Sequence, residues 1–390
     1  MSVPAVIFWE PDLAGIEIAG LTLLDRLVVA AHRAGGEPVY LIGTGSNPPL
    51  KRARSLGIDP LLASIPPRLS GPVLILECRA LVETPDLRRL IEHGGRLATR
   101  TGTPLPIAVI PTMTGQLIDT TAGGTDQGWE KATSSRQASM IGLANVCAEG
   151  VAVPVSDRRT AGIAERCLWA SLASNADGWV DRYFNRPVGR PLSRLLVRTP
   201  ATPNMVSILA TLIGLVSALM FGLGTQMCAL WGAVLLQISA VMDCVDGDLA
   251  RVSFKESSLG RWLDIVGDQI VHVCLFVGIG IGLWRGGSDA PVLALGMSAG
   301  SGVVIAFAVV MRGMLRQDIA RNSRWKKLID ATTNRDFSVL VILLTVLGAL
   351  EMFLWAAAIG VHVFWIVALA VQYYKPSSLG QFRARHEKGV

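Results

Sequence analysis

Charge is scarce in this chain. Only 17% of its 390 residues are Asp, Glu, Lys or Arg, whereas 51% are hydrophobic and the mean hydropathy is +0.45. Such a composition excludes an ordinary soluble protein. The net charge of +6 fits a membrane protein with basic loops on one side, and no nucleic-acid partner is expected. Paired cysteines are missing too. The six cysteines are scattered with no C-x-x-C, which argues against a disulfide framework or a zinc site. The N-terminus has neither a basic stretch nor a cleavage signature, so no signal peptide is expected and the first part of the chain is expected in the cytoplasm. No G-x-x-x-x-G-K-[ST] loop occurs either, and Gly43-Thr-Gly45 and Gly123-Gly-Thr-Asp read as turns.

What is present divides into an α/β half and a membrane half. Residues 1–165 alternate short β-type runs (Ala5–Trp9, Pro38–Gly43, Pro72–Glu77, Pro106–Pro111) with helical patterns at Leu21–Ala34 and Thr84–His93. Alternation of this kind predicts a mainly parallel, three-layer sheet. Lys51, Arg52 and Arg54 read as a solvated helix face. Residues 166–200 form a junction in which Arg186, Arg190, Arg194 and Arg198 recur every four residues beside Leu192, Leu195, Leu196 and Val197. That pattern suits a basic amphipathic helix at an anionic leaflet.

From residue 201 onward, about six apolar segments approach the length a bilayer requires, near 204–224, 226–249, 260–284, 289–313, 336–350 and 352–374. Basic residues gather between the fourth and fifth (Arg312, Arg316, Arg321, Arg324, Lys326, Lys327, Arg335) and in the C-terminal tail. The positive-inside rule therefore predicts both termini in the cytoplasm, with the cell (inner) membrane as location. His272 and His362 read as packing residues, given their apolar neighbours.

Four aspartates interrupt this apolar half. Asp243 and Asp246 end one segment and Asp264 and Asp268 begin the next, each pair at helical spacing and so on one face. Carboxylates at membrane depth are costly and usually mark a site, and four of them call for a compensating cation. Oxygen donors select Mg²⁺, Mn²⁺ or Ca²⁺. Gly247, Ala250 and Gly260 remove side-chain bulk nearby, while Arg251 and Lys255 offer positive charge to a phosphate.

The spacing D-x-x-D-G-x-x-A-R-x₈-G-x-x-x-D-x-x-x-D, from Asp243 to Asp268, resembles the signature of the CDP-alcohol phosphatidyltransferases at every position. That resemblance implies a metal-dependent transferase that moves a phospho-alcohol from a CDP-linked donor to an acceptor hydroxyl, releasing CMP. It implies Asp243, Asp246, Asp264 and Asp268 as ligands of one or two Mg²⁺ or Mn²⁺ ions, with Asp268 also the general base. By the same carry-over, Asn204, Gly247, Ala250, Arg251 and Gly260 face CDP; the positive charge of Lys255, and of Arg335 beside the start of a span, makes both candidates for an acceptor phosphate, and a homodimer in membrane lipid is expected.

The run Gly20–Gly35 is similar to the helix that follows the signature loop of sugar-phosphate nucleotidyltransferases, whose Rossmann-like fold the first half would share. Joined to the membrane half, it resembles the fused inositol-phosphate cytidylyltransferase/di-inositol-phosphate-phosphate synthases. The loop equivalent, Phe8–Ile18, departs from that family: it is acidic, with one glycine and no basic residue. Glu77 and Asp157 stand where family carboxylates would be. The first half is therefore expected to be degenerate, kept for binding or regulation. An active fusion that makes its own CDP-alcohol from CTP, and a silent membrane scaffold, are the alternatives.

Overall fold

A computed structural model describes residues 2–43, 48–63, 69, 71–110, 140, 142–172, 178–315 and 337–373. These residues form two compact units, Met1–Leu172 together with Arg251–Phe254, and Ala173–Ala250 together with Lys255–Val390.

In the first unit, β1 (Val3–Trp9) leads through the short α1 (Pro11–Ala14) and the hairpin β2 (Glu17–Ile18) and β3 (Leu21–Thr22) into α2 (Leu23–Ala34). Thr22 caps α2 by accepting from Asp25 N, and Gly35 ends it at φ 102°, a left-handed turn that suits glycine. Next come β4 (Gly36–Gly43), α3 (Lys51–Ser55), β5 (Leu61–Leu62), β6 (Val73–Glu77), β7 (Ala80–Val82), α4 (Thr84–His93), β8 (Gly95–Ala98), β9 (Pro104–Ile110), β10 (Asn145–Cys147), β11 (Ala152–Pro154) and α5 (Arg158–Ser171).

The seven-stranded sheet has the order β10-β8-β9-β6-β1-β4-β5. It is parallel at β1/β4, β1/β6, β4/β5 and β8/β10, and antiparallel where β9 sits between β6 and β8. The four strands read from the sequence are β1, β4, β6 and β9; β1, β6 and β9 are strongly apolar and largely buried, and β4 buries Val39, Leu41 and Ile42. Central strands buried on both faces read as near-continuous hydrophobic runs, which is why they were legible.

In the second unit, a π-helical turn (Asp181–Asn185) runs into α6 (Arg186–Leu196). The long apolar helices follow: α7 (Pro203–Gly222), α8 (Gln226–Val252), α9 (Ser258–Arg285), α10 (Val292–Leu315), the short α11 (Phe337–Val346) and α12 (Leu350–Tyr373). Five of them, α7, α8, α9, α10 and α12, are long and apolar enough to cross a membrane. The fifth expected segment contains the 10-residue α11, which begins at the edge of the described residues.

Glycines let α9 approach a helix on each side. Positions 278 and 282 lie against the backbone carbonyls of Ala218 and Phe221 on α7. Gly280 and Gly296 let α9 and α10 meet, with a Cβ at either coming 2.7 Å from an opposing carbonyl, Val292 O or Phe276 O. Small residues at crossings are the usual means of packing helices where lipid offers no hydrophobic drive. Aromatics and aliphatics of α7–α12, among them Phe221, Leu275, Phe276 and Phe353, fill the main core. A smaller cluster of Val206, Ala210, Met242, Val245 and Leu249 receives Leu192 and Leu196 of α6.

Candidate active site

The aspartate stretch spans the end of α8 and the start of α9. Thr202 caps α7, accepting from Met205 N with Pro203 in the first turn. Ser257 caps α9 by accepting from Gly260 N at 2.9 Å. Two apolar helices joined by residues 253–257 therefore return side by side. The donor oxygens of Asp243, Asp246 and Asp264 all lie within 4.8 Å of one another, and Asp246 is 94% buried. Three carboxylates this close, with no softer donor among them, suit a hard divalent cation.

Asp243, Asp264 and Asp268 also line one cavity of about 500 Å³. Its polar end carries those carboxylates together with Asp181, Gln269 and His272. Its apolar walls come from α10 and α12, including Val303, Phe307, Val310 and Phe364. Asn204 and Gly260 meet as well: a Cβ on Gly260 would lie 2.7 Å from Asn204 Oδ1. Gly247 and Ala250 are half-buried on α8, and Arg251 is exposed at its end. Neither Arg251 nor Lys255 is among the described residues that line the cavity, and Arg335 lies outside the described residues.

Several side chains had given no sign in the sequence. Asp181 reaches the cavity from the π-helical turn, where its Oδ1 accepts from Asn185 Nδ2 at 2.7 Å. Gln237 donates in turn to Asn185 Oδ1, and both residues are buried. Arg186 does not face a leaflet. It is buried and donates to Asp248 Oδ1 at 2.6 Å, while Arg194 and Arg198 are exposed. Four-residue spacing drifts about 40° per step around a helix, so a row of arginines does not stay on one face. His272 is a cavity residue rather than mere packing, with its ring 5.2 Å from that of Phe337. His362 is held by Trp365 Nε1 at 2.8 Å and Ser298 Oγ at 3.1 Å.

Residues 200–372 match the family model of the CDP-alcohol phosphatidyltransferases. The match falls on the helical part and covers less than half of the chain. The chain resembles the bifunctional IPC transferase and DIPP synthase of Thermococcus kodakarensis, at 34% identity over 102 residues that cover 26% of this chain and 22% of that protein. It is also similar to the archaetidylinositol phosphate synthase of Pyrococcus horikoshii, at 34% identity over 98 residues, 24% of this chain and 50% of the other. The curated relatives are thus matched over half of their length or less. A solved structure of Mycobacterium tuberculosis phosphatidylinositol phosphate synthase, with CDP-DAG bound, aligns with 50% of this chain and 97% of its own at 17% identity and a TM-score of 0.37. Five long apolar helices among the described residues fit a multi-pass membrane protein.

In the first unit the expected nucleotide-site carboxylates are otherwise engaged. Asp157 is the N-cap of α5, where it forms a capping box with Thr160. The Thr160 amide and hydroxyl bonds hold its carboxyl below the ordinary 3.8. Glu77 is buried at the end of β6. Within the acidic stretch 8–18 and just before α1, Glu10 pairs with Arg79 at 2.8 Å.

Proposed function

We propose that the chain is an integral-membrane CDP-alcohol phosphotransferase that moves a phospho-alcohol from a CDP-linked lipid to an acceptor hydroxyl and releases CMP. One observation carries the reading: Asp243 and Asp264, which form with Asp246 a cluster of three carboxylates within 4.8 Å of one another, line a cavity whose walls on α10 and α12 are apolar. A diphosphate with its cation needs the first feature, and a lipid tail needs the second.

Asp243, Asp246 and Asp264 would hold the cation, with Asp268 close by as an additional ligand. Mg²⁺ or Mn²⁺ bound there would neutralise the diphosphate and the charge that develops on departing CMP. Asp268 takes the proton of the acceptor hydroxyl. The acceptor oxygen then bonds to the phosphorus that carries the lipid alcohol, and the bond from that phosphorus to the CMP oxygen breaks. Asn204, Gly247, Ala250, Arg251 and Gly260 bind the cytidine side, with the Asn204–Gly260 approach as one edge of its seat. Lys255 and Arg335 are the candidates for an acceptor phosphate, inositol phosphate or glycerol phosphate. A cytoplasmic active site and cytoplasmic termini are in keeping with the basic segments under the positive-inside rule. The α/β region is a degenerate nucleotidyltransferase-like domain, in keeping with an Asp157 engaged as a helix cap.

The test is CMP release by the purified full chain, supplied with CDP-diacylglycerol or CDP-inositol, Mg²⁺ or Mn²⁺, and a panel of phospho-alcohol acceptors. CDP-diacylglycerol is expected to serve as donor, and Asp268→Asn to slow release by about 10²–10⁴-fold. The proposal fails if no pair yields CMP, or if Asp268→Asn is as fast as the wild type.

A further inference from the structure

Residues 251–254 leave the second unit and belong to the first. They are the end of α8 and the start of the loop inside the aspartate signature. The helix closes with a Schellman pair: Lys255 N bonds Ala250 O at 2.9 Å and Phe254 N bonds Arg251 O at 3.4 Å. Phe254 occupies the left-handed position of that motif at φ 54°, where glycine is usual. A non-glycine residue there is strained and persists only where its surroundings dictate it.

Three arginines of the first unit supply those surroundings. Arg26, on α2, is 97% buried and spends its guanidinium on three carbonyls: Ile18 O at 2.8 Å, Ala19 O at 3.0 Å and Val252 O at 2.9 Å. Arg33, also on α2, donates to Phe254 O at 2.9 Å, and Arg52, on α3, donates to the same oxygen at 2.6 Å. The guanidinium carbons of Arg33 and Arg26 lie 5.1 and 5.8 Å from the Phe254 ring centre, within cation–π range. Arg52 is held in turn by its backbone, since Asp25 accepts from the amides of Arg52 at 2.6 Å and Ala53 at 2.7 Å. The sequence had suggested a solvated face for Arg52, yet its side chain points to the loop. Burial lowers the Arg26 pKa to about 10, so it is still a cation at neutral pH. Three cations at the last carbonyls of a helix complement its dipole.

We propose that Arg26, Arg33 and Arg52 are positioning residues of the transferase: their grip on Val252 O and Phe254 O sets the end of α8, and through that helix the placing of Asp246, Ala250 and Arg251. The link is covalent and short. Asp246 precedes Val252 by six residues, about 9 Å along one continuous helix. A helix end that frayed would let the metal carboxylate and the cytidine-facing residues drift together. The α/β unit thereby acquires a role in catalysis that needs no nucleotide site of its own. This inference rests on the transferase reading above.

The experiment uses the full chain in detergent and compares Arg26→Met with the double variant Arg33→Met/Arg52→Met. Arg96→Met serves as a control, because Arg96 also donates to a backbone carbonyl of the same unit (Leu105 O, 2.9 Å) but does not touch the loop. Mn²⁺ binding is followed by electron paramagnetic resonance without substrates, CMP binding by calorimetry, and the donor and acceptor KM by CMP release. Both loop variants are expected to weaken Mn²⁺ and CMP binding about tenfold and to raise the donor KM to match, with the acceptor KM unchanged. Arg96→Met is expected to lower the melting temperature while leaving both affinities within twofold. The inference is overturned if the loop variants lose stability like the control yet bind Mn²⁺ and CMP as the wild type does. Should Arg26→Met fail to fold, the double variant decides, since Arg33 and Arg52 are only partly buried. A wild type that releases no CMP would defeat the transferase reading, and the Mn²⁺ comparison would still judge the grip.

Discussion

Asp246→Asn offers the most direct access to the carboxylate cluster, because it is expected to stabilise the protein while destroying its site. Donor oxygens within 4.8 Å repel by about 3.5 kcal/mol per charged pair at an effective dielectric near 20. Three carboxylates make three such pairs, and neutralising Asp246 removes two of them, about 7 kcal/mol as an upper figure before the helices relax. Relaxation that absorbs half would still leave about 3 kcal/mol. At roughly 2–4 °C per kcal/mol for a unit of this size, the variant should melt about 6–12 °C above the wild type in EDTA. Mn²⁺ at a hundred times its Kd should add about 2.7 kcal/mol to the wild type and almost nothing to the variant. Differential scanning fluorimetry of the full chain in detergent, with EDTA or Mn²⁺, reads both effects. The reasoning is refuted if Asp246→Asn melts below the wild type in EDTA, since the carboxylate would then be held by structural partners rather than set against its neighbours. It is equally refuted if Mn²⁺ shifts the two proteins alike.

Arg186→Met should cost about 3–5 kcal/mol by taking the guanidinium from the buried Asp248, whereas Arg186→Met/Asp248→Leu should return close to wild-type stability in a double-mutant cycle. Gly260→Ala should raise the donor KM several-fold with little loss of melting temperature, because its Cβ displaces only the flexible tips of Asn204 and Ser257; a donor KM that does not move would remove Asn204 from the cytidine seat. Thiol labelling at pH 8 should modify the exposed Cys147 and spare Cys78, whose thiol is 98% buried and whose pKa is pushed up by that burial and by Glu10. Prompt labelling of Cys78 in the folded chain would contradict that burial.

The carboxylate cluster was legible because its information is local. Asp243 and Asp246 share a helix face by spacing alone, as do Asp264 and Asp268, and one short loop joins the pairs. The strands β1, β4, β6 and β9 were legible for the same reason: each is a continuous apolar run between breakers. The antiparallel insertion of β9 between β6 and β8 was not, since strand order is a matter of pairing over distance. Five of the six expected spans are long apolar helices, and the other expected segment contains the ten-residue apolar helix Phe337–Val346.

Side-chain direction was the other blind spot. Arg52 and Arg186 both read as solvated or lipid-facing, and both turn inward to named partners. Nothing in a sequence pattern ties Arg186 to Asp248, 62 positions away, or Arg26 to Val252, 226 away. Asp181 looked like one more junction residue until the π-helical turn brought it to the cavity. By itself, the sequence determined that carboxylates gather at the ends of two apolar helices, because their spacing follows helical periodicity. Only the tertiary structure decided what surrounds them: which walls are apolar, which carboxylates share a cavity, and which arginines hold the end of α8. Those are contacts between residues far apart in the chain, chosen by packing and by the need of each buried charge and carbonyl for a partner.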